Sequence, residues 1–271
     1  MKGRNILNSP RLLELKRKRR RIFFGKFLLV VFSLATIFAG LIYLSRLSAL
    51  NIKEVKIISS GAIDAPTVKT AVETEITGNY LWFLPKTNIL FYPKKKIETE
   101  LYHKFKRIKD IDISIKDQKI LEVQLTEREA TYLWCEEPEK CSFMDSSGYV
   151  FDTVPYFSGN VYFKFFGPLS GDNFAPEIFD KVIAFKNTLL DLGIKPTSLY
   201  LVGEDIEIYL SSKSPYSPKI IFKKDFNLEA ISENLQTALD AEPLKSNFKN
   251  KYASLEYIDL RYGNKVYYKF R

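Results

Sequence analysis

"IKDIDISIKDQKILEVQLTE", residues 108–127, decides how this chain is read. Ile108, Ile111, Ile113 and Ile115 carry the apolar side of the first half, and Leu121, Val123 and Leu125 that of the second. A side-chain period near two marks strands with one buried face. The polar KDQK at 116–119 supplies a turn, so the two runs form a hairpin.

Upstream the period changes from two to nearly four. Pro93 starts a helix in which Ile97, Leu101 and Phe105 recur at i, i+4 and i+8. Before it, Asp64 and Pro66 open another helix, Val68, Val72 and Ile76 line one face, and Gly78 stops it. These are helix start and stop signals with an apolar stripe between them. KEVKII, residues 53–58, has strand character. The order β-α-α-β-β predicts a small three-stranded sheet with both helices on one face. Short connections pair the last two strands and add the first at a side.

Downstream of Arg128 the strand-like pieces are 131–134, 142–144, 149–153, 160–166, 198–202, 205–211 and 218–223. Two helices interrupt them, about 176–192, stopped by Gly193, and about 227–240. This predicts a mixed α+β domain with a long meandering antiparallel sheet. The chain closes on LEYIDLRYGNKVYYKFR, a strong hairpin signal around Gly263-Asn264. A two-residue loop sets Val266 opposite Arg261 and puts the apolar faces at odds. An odd loop pairs Tyr262 with Val266, Leu260 with Tyr268 and Ile258 with Phe270. Because a one-residue slip turns every side chain over, an odd loop or a bulge is expected.

The net charge of +9 invites a nucleic-acid reading until it is located. Residues 1–26 hold ten Lys/Arg and one acid, so residues 27–271 carry 31 basic and 31 acidic side chains. That removes the electrostatic support for nucleic-acid binding by the remainder. Residues 27–44, FLLVVFSLATIFAGLIYL, contain no charge. As a helix they rise roughly 27 Å, close to the thickness of a bilayer's hydrocarbon. The span is read as 22–45. It exceeds the roughly 7–15 apolar residues of a cleaved signal peptide, and Leu47-Ser48-Ala49 is a poor cleavage site. KRKRRR at 16–21 puts the N-terminus in the cytoplasm by the positive-inside rule.

Signals for catalysis are sparse. His103, the one histidine, lies off its helix stripe and is expected to face solvent. No nucleophile elbow, phosphate loop or metal-binding spacing is present, so neither an enzyme nor a cofactor is expected. Cys135 and Cys141 flank a Pro-containing loop; a disulfide and two free thiols are both open, and the spacing is poor for zinc. The exposed terminal strand instead favours an interaction protein that recruits an extended peptide by β-augmentation.

Basic tail, one span, β-α-α-β-β domain and mixed C-terminal domain together resemble the FtsQ/DivIB cell-division family. IKEVKIISSG, ILEVQLTEREA with its Glu127-Arg128, FMDSSGYVF and IDLRYGNKVYYKF carry the likeness in this order. The KDQKI turn, lacking proline, and the Cys pair depart from the pattern. The resemblance implies a basic cytoplasmic tail 1–21, a transmembrane helix 22–45, a POTRA-like domain 50–128 and a β domain 129–271. It implies a single-pass, non-enzymatic scaffold of the divisome in the plasma membrane at the septum, with both domains extracytoplasmic. FtsB- and FtsL-like bitopic coiled-coil proteins would be the partners, linking early division proteins to septal peptidoglycan synthesis. The partner strand would add to the last strand, through Arg261, Tyr262, Lys265, Val266, Tyr267, Tyr268, Lys269 and Phe270. Another membrane-anchored POTRA-type scaffold, for envelope secretion or assembly, is the alternative.

Overall fold

The apolar run and the basic cluster before it form one helix. A computed structural model describes residues 10–59, 61–155, 161–212 and 216–271, and within it α1 (Pro10–Ser45) is continuous. The basic segment is therefore helical from Pro10 onward and continuous with the apolar run; residues 1–9 lie outside the described ones. From Glu14 to Ser45 this helix is long and apolar enough to cross a membrane.

The chain divides into two units, Met1–Glu127 and Arg128–Arg271. In the first, β1 (Glu54–Ser59) leads to α2 (Ala65–Ile76). Asp64 caps α2 by accepting from the Thr67 amide at 3.1 Å. Two short strands, β2 (Asn79–Tyr80) and β3 (Leu84–Pro85), precede α3 (Lys94–Lys104). The hairpin β4 (Ile108–Lys116) and β5 (Ile120–Glu127) completes a sheet in the order β1-β5-β4, with β1 parallel to β5. Val68, Val72 and Ile76 of α2 and Ile97 and Leu101 of α3 are buried with Val55, Ile113, Leu121 and Val123 of the sheet. The register shifts between Ile108 and Asp110. This irregularity brings Ile108 into the core although it is three residues from Ile111. The turn is tight, with Asp117 and Gln118 both at positive φ.

The second unit contains β6 (Tyr132–Glu137), β7 (Lys140–Met144), β8 (Val150–Thr153), β9 (Lys164–Phe166), β10 (Leu169–Ser170) and β11 (Asn173–Phe174). Next come α4 (Phe179–Asp191), β12 (Pro196–Val202), β13 (Asp205–Leu210) and β14 (Lys219–Lys223). Helices α5 (Leu228–Asp240) and α6 (Leu244–Asn250) then precede β15 (Leu255–Tyr262) and β16 (Lys265–Phe270). Nine strands form one sheet, β16-β15-β14-β13-β12-β9-β6-β7-β8.

The expected antiparallel meander is corrected here. β9 runs parallel to both β6 and β12, and β14 runs parallel to β15. Parallel neighbours need a long crossover, and the helical connections supply two. α4 lies in the chain between β9 and β12, and α5 with α6 between β14 and β15. Strand periodicity reveals which residues are extended and says nothing about which neighbour they join. α4 also starts later than the Pro176 expected, after a turn in which the Ile178 and Phe179 amides donate to Ala175. Its end is as read, with Gly193 at φ +76. The expected strand 160–166 is reduced to Lys164–Phe166, and residue 160 lies outside the described ones.

One sheet face is covered by Phe179, Val182, Phe185 and Leu189 of α4 and Ile231 and Leu235 of α5. The other carries a smaller cluster in which Leu133, Cys135 and Phe166 meet Phe143 and Tyr200. Cys135 and Cys141 face each other across β6 and β7 and are joined as a disulfide, which closes the question their spacing left open.

Candidate functional site

Strand β16 is the last in the sheet order, and β15 is its one strand neighbour among the described residues. The opposite edge differs. There the Val150 amide donates to the Asp172 carbonyl at 2.8 Å and Tyr149 bridges Asn173, so a loop covers the start of β8. Among the described residues no loop pairs in this way with the outer edge of β16.

The hairpin that forms this edge has a two-residue loop after all, with Tyr262 opposite Lys265. The odd loop is corrected; the bulge is present. Register shifts between Asp259 and Tyr262 and again between Leu255 and Tyr257. Tyr268 therefore lies opposite Ile258 rather than Leu260, and Phe270 opposite Leu255 rather than Ile258. Extra residues on β15 reconcile the tight turn with a continuous apolar face, which is the conflict the sequence posed. Val266, Tyr268 and Phe270 are half-buried against the core, beside buried Leu255, Ile258 and Leu260. Asn234 of α5 donates to the Gly263 carbonyl at 2.9 Å and ties the turn to the helix layer.

The backbone direction follows from the end of the strand. The Arg271 amide donates to the Ser254 carbonyl at 2.8 Å, toward β15. Strand alternation then aims the N–H and C=O of Lys269, Tyr267 and Lys265 at β15 as well. The N–H and C=O of Val266, Tyr268 and Phe270 point to the open edge. The residues that hold the strand to the core by their side chains are those that offer its backbone.

The face away from the helices presents Tyr267, Lys265 and Lys269, all exposed. Tyr267 meets Tyr262 edge-to-face at 5.2 Å. Lys269 pairs with Glu256 at 2.9 Å, a bond that raises the lysine's pKa and lowers the glutamate's. An open depression of about 720 Å³ lies on this face, lined by Lys219, Ile221, Tyr257, Asp259, Arg261 and Tyr267. Arg261, expected at the interface, lines this depression and makes its ion pairs within the unit. It donates to Asp259 from Nε at 2.9 Å and from Nη2 at 2.6 Å, and to Asp205 from Nη1 at 2.7 Å. Burial pushes the Asp259 carboxyl up, but the bonds and charge of Arg261 outweigh it and the net direction is down. For Arg261 the bond to Asp259 is the largest effect and raises its pKa. Asp205, 56 residues earlier, Asp259 and Glu256 were not legible as parts of this surface. The i, i+2 spacing of Asp259 and Arg261 on one strand face was the one available signal.

The Glu127-Arg128 pair has a separate office on each side of the unit boundary. Glu127 accepts from Ser59 Oγ at 2.9 Å, the Ala62 amide at 3.0 Å and the Ile63 amide at 3.1 Å, fixing the turn after β1. Arg128 donates to Asp145 at 2.6 Å and stacks on Tyr149, its guanidinium carbon 3.9 Å from the ring centre. His103 is exposed. Among the described residues no group of His, Cys, Asp and Glu is arranged to hold a metal ion.

Compared with protein-family models and with curated proteins, the chain matches no family model and no curated protein.

Proposed function

We propose that this chain is a membrane-anchored, non-enzymatic scaffold of the FtsQ/DivIB type, which joins bitopic coiled-coil partners to the divisome through β16. The N-terminus lies in the cytoplasm, and the part of the first unit that follows α1 and the whole second unit lie outside it, at the division septum of the plasma membrane. A single observation carries the proposal: a strand with one neighbour among the described residues ends the sheet, and Val266, Tyr268 and Phe270 offer its backbone there. The long apolar helix supports the anchor, and the basic run before it supports the orientation. The β-α-α-β-β order of the first unit supports a POTRA-like reading. An FtsB-like segment adding to β16 would gain main-chain hydrogen bonds there. Tyr267 and Tyr262, both about half exposed, would select its side chains.

The test is binding of the full-length protein in detergent to the outer segments of candidate FtsB- and FtsL-like partners. Truncation after Asn264 should abolish binding while the first unit keeps its fold. Undiminished binding by the truncated chain sinks the reading.

A further inference from the structure

We propose that the β2–β3 hairpin tip, Leu81-Trp82, together with the neighbouring turn at Leu90-Phe91, is a second membrane contact seated in the outer interface of the bilayer that α1 crosses. The inference rests on the reading of α1 as a transmembrane anchor.

The tip is unfavourable in water on two counts. Leu81 and Trp82 both adopt left-handed backbone, φ 46 and 71, and the Phe83 amide closes the turn on the Tyr80 carbonyl at 3.2 Å. Such turns prefer Asn and Gly, because a Cβ in this conformation is crowded. The same two side chains are 77% and 92% exposed. A strained turn that displays Leu and Trp wastes both its conformation and its apolar area unless something apolar meets it. Nearby, Leu90 and Phe91 are 70% and 53% exposed on a turn built on Asn88.

What meets this collar is indicated by its attachment to α1. The Phe83 ring packs edge-to-face on Phe38, centroids 5.4 Å apart, and Arg46 Nε donates to the Phe83 carbonyl at 3.3 Å. Phe38 precedes the helix's last residue, Ser45, by two turns, or roughly 10 Å along the axis. The hairpin therefore lies beside the outer part of the apolar helix and not above its end.

Its depth is also fixed. The Ser45 carbonyl, an orphan acceptor of the helix terminus, receives Asn51 Nδ2 at 3.0 Å and Asn88 Nδ2 at 2.9 Å. Asn88 is 1% exposed. The Ile89 amide donates to Leu50 at 3.0 Å, the Ile52 amide to Thr87 at 2.8 Å, and Thr87 Oγ1 to Asn51 Oδ1 at 2.8 Å. This web ties the 79–92 segment to the helix end, so a bilayer around α1 reaches the collar. Trp suits that boundary, with an apolar ring and one polar N–H. Arg46 is exposed and Lys86 lies over the Tyr80 ring, placing cations at headgroup level.

The chain has two tryptophans, so Trp134→Phe leaves Trp82 alone. The experiment reads its emission in the full-length protein, reconstituted in phosphatidylcholine–phosphatidylglycerol vesicles with acyl chains brominated at shallow or deep positions. The expected result is blue-shifted emission, stronger loss with shallow than with deep bromines, and protection from aqueous iodide. The difference between wild-type and Trp82→Phe spectra gives the same reading with Trp134 in place. Phe32→Trp, with Trp82 and Trp134 both changed to Phe, reports on the helix. If deep bromines quench Trp at 32 while Trp82 stays iodide-accessible, the anchor stands and the collar proposal is overturned. Iodide protection of Trp82 without bromine quenching also overturns it, in favour of burial against protein or a second copy. If Trp at 32 is not quenched, the anchor fails and the collar with it.

Discussion

Arg261 reaches back two residues to Asp259, with its Nη2 2.6 Å from Oδ2 and its Nε 2.9 Å from Oδ1, and so fills the bulge of β15 with a bidentate ion pair. Asp259 is only 5% exposed. Removing it leaves a guanidinium partly buried with Asp205 alone. Asp259→Ala should lower the stability of the second unit by about 1–3 kcal/mol. Arg261→Lys should also destabilise, because an ammonium cannot make the forked contact. Trp134 emission during urea unfolding, in a Trp82→Phe background, isolates this unit. A change within about 0.5 kcal/mol would mean the pair behaves as an ordinary surface contact.

The open edge makes adjacent residues of β16 unequal. Replacing Tyr268 by its α-hydroxy analogue substitutes an ester for one amide and leaves the side chain intact. It should weaken partner binding by about 1 kcal/mol, roughly fivefold, and cost little stability, since the lost N–H faces the edge and only the weaker ester carbonyl of Tyr267 faces β15. The same change at Tyr267 should lower stability instead, because that N–H is aimed at β15. Titration calorimetry and denaturation of the two variants read the contrast. Equal effects at both positions would refute the assigned strand direction.

Acid should loosen both units. Burial pushes the Glu127 and Asp145 carboxyls up, but hydrogen bonds overcome it and both end below their ordinary values of 4.5 and 3.8. At Glu127 the Ile63 and Ala62 amides lead, and at Asp145 Ser147 and Arg128 do. A depressed carboxylate contributes stability that is complete above the unfolded pKa and is lost as pH falls through the folded one. Thermal midpoints should therefore drop once pH falls below these ordinary values. Glu127→Gln and Asp145→Asn should flatten that drop, each in its own unit. Circular dichroism across the acid range checks both slopes.

Gly61 and Glu127 are coupled by space. A Cβ on Gly61 would clash with the Glu127 carboxylate. The carboxylate is held there by three hydrogen bonds, so Gly61→Ala displaces it from them. The expected loss is about 1–3 kcal/mol in the first unit. In a Glu127→Ala background the same substitution should have little further effect. A double-mutant cycle with near-additive values would contradict the coupling.

The Cys135–Cys141 disulfide closes a short loop, with a sequence separation of 6. Loop-closure entropy for so small a ring predicts about 2 kcal/mol of stabilisation. The double variant Cys135→Ser, Cys141→Ser should lower the unfolding free energy of the second unit by that amount, read from a downward shift of the Trp134-detected urea midpoint. An unchanged midpoint would show that the β6–β7 pairing holds the loop without the bond.

Local signals were legible because each acts over a few residues. Asp64 and Pro66 set the start of α2, Gly193 the end of α4, and the stripes of Ile97 with Leu101 and Phe185 with Leu189 faced the core as their spacing required. The apolar run ending at Leu44 announced a helix long enough to cross a membrane, since eighteen uncharged residues are a property of composition. The clash between the Gly263-Asn264 turn and the apolar alternation announced an odd loop or a bulge, without deciding between them. Tertiary structure alone decided where the bulge falls, that β9 and β12 and β14 and β15 run parallel, and that Asp205 joins Arg261. It likewise decided that Asn51 and Asn88 close the end of α1. Each of these depends on which distant segment arrives alongside, and that is set by packing the whole apolar face at once, beyond the reach of any local period.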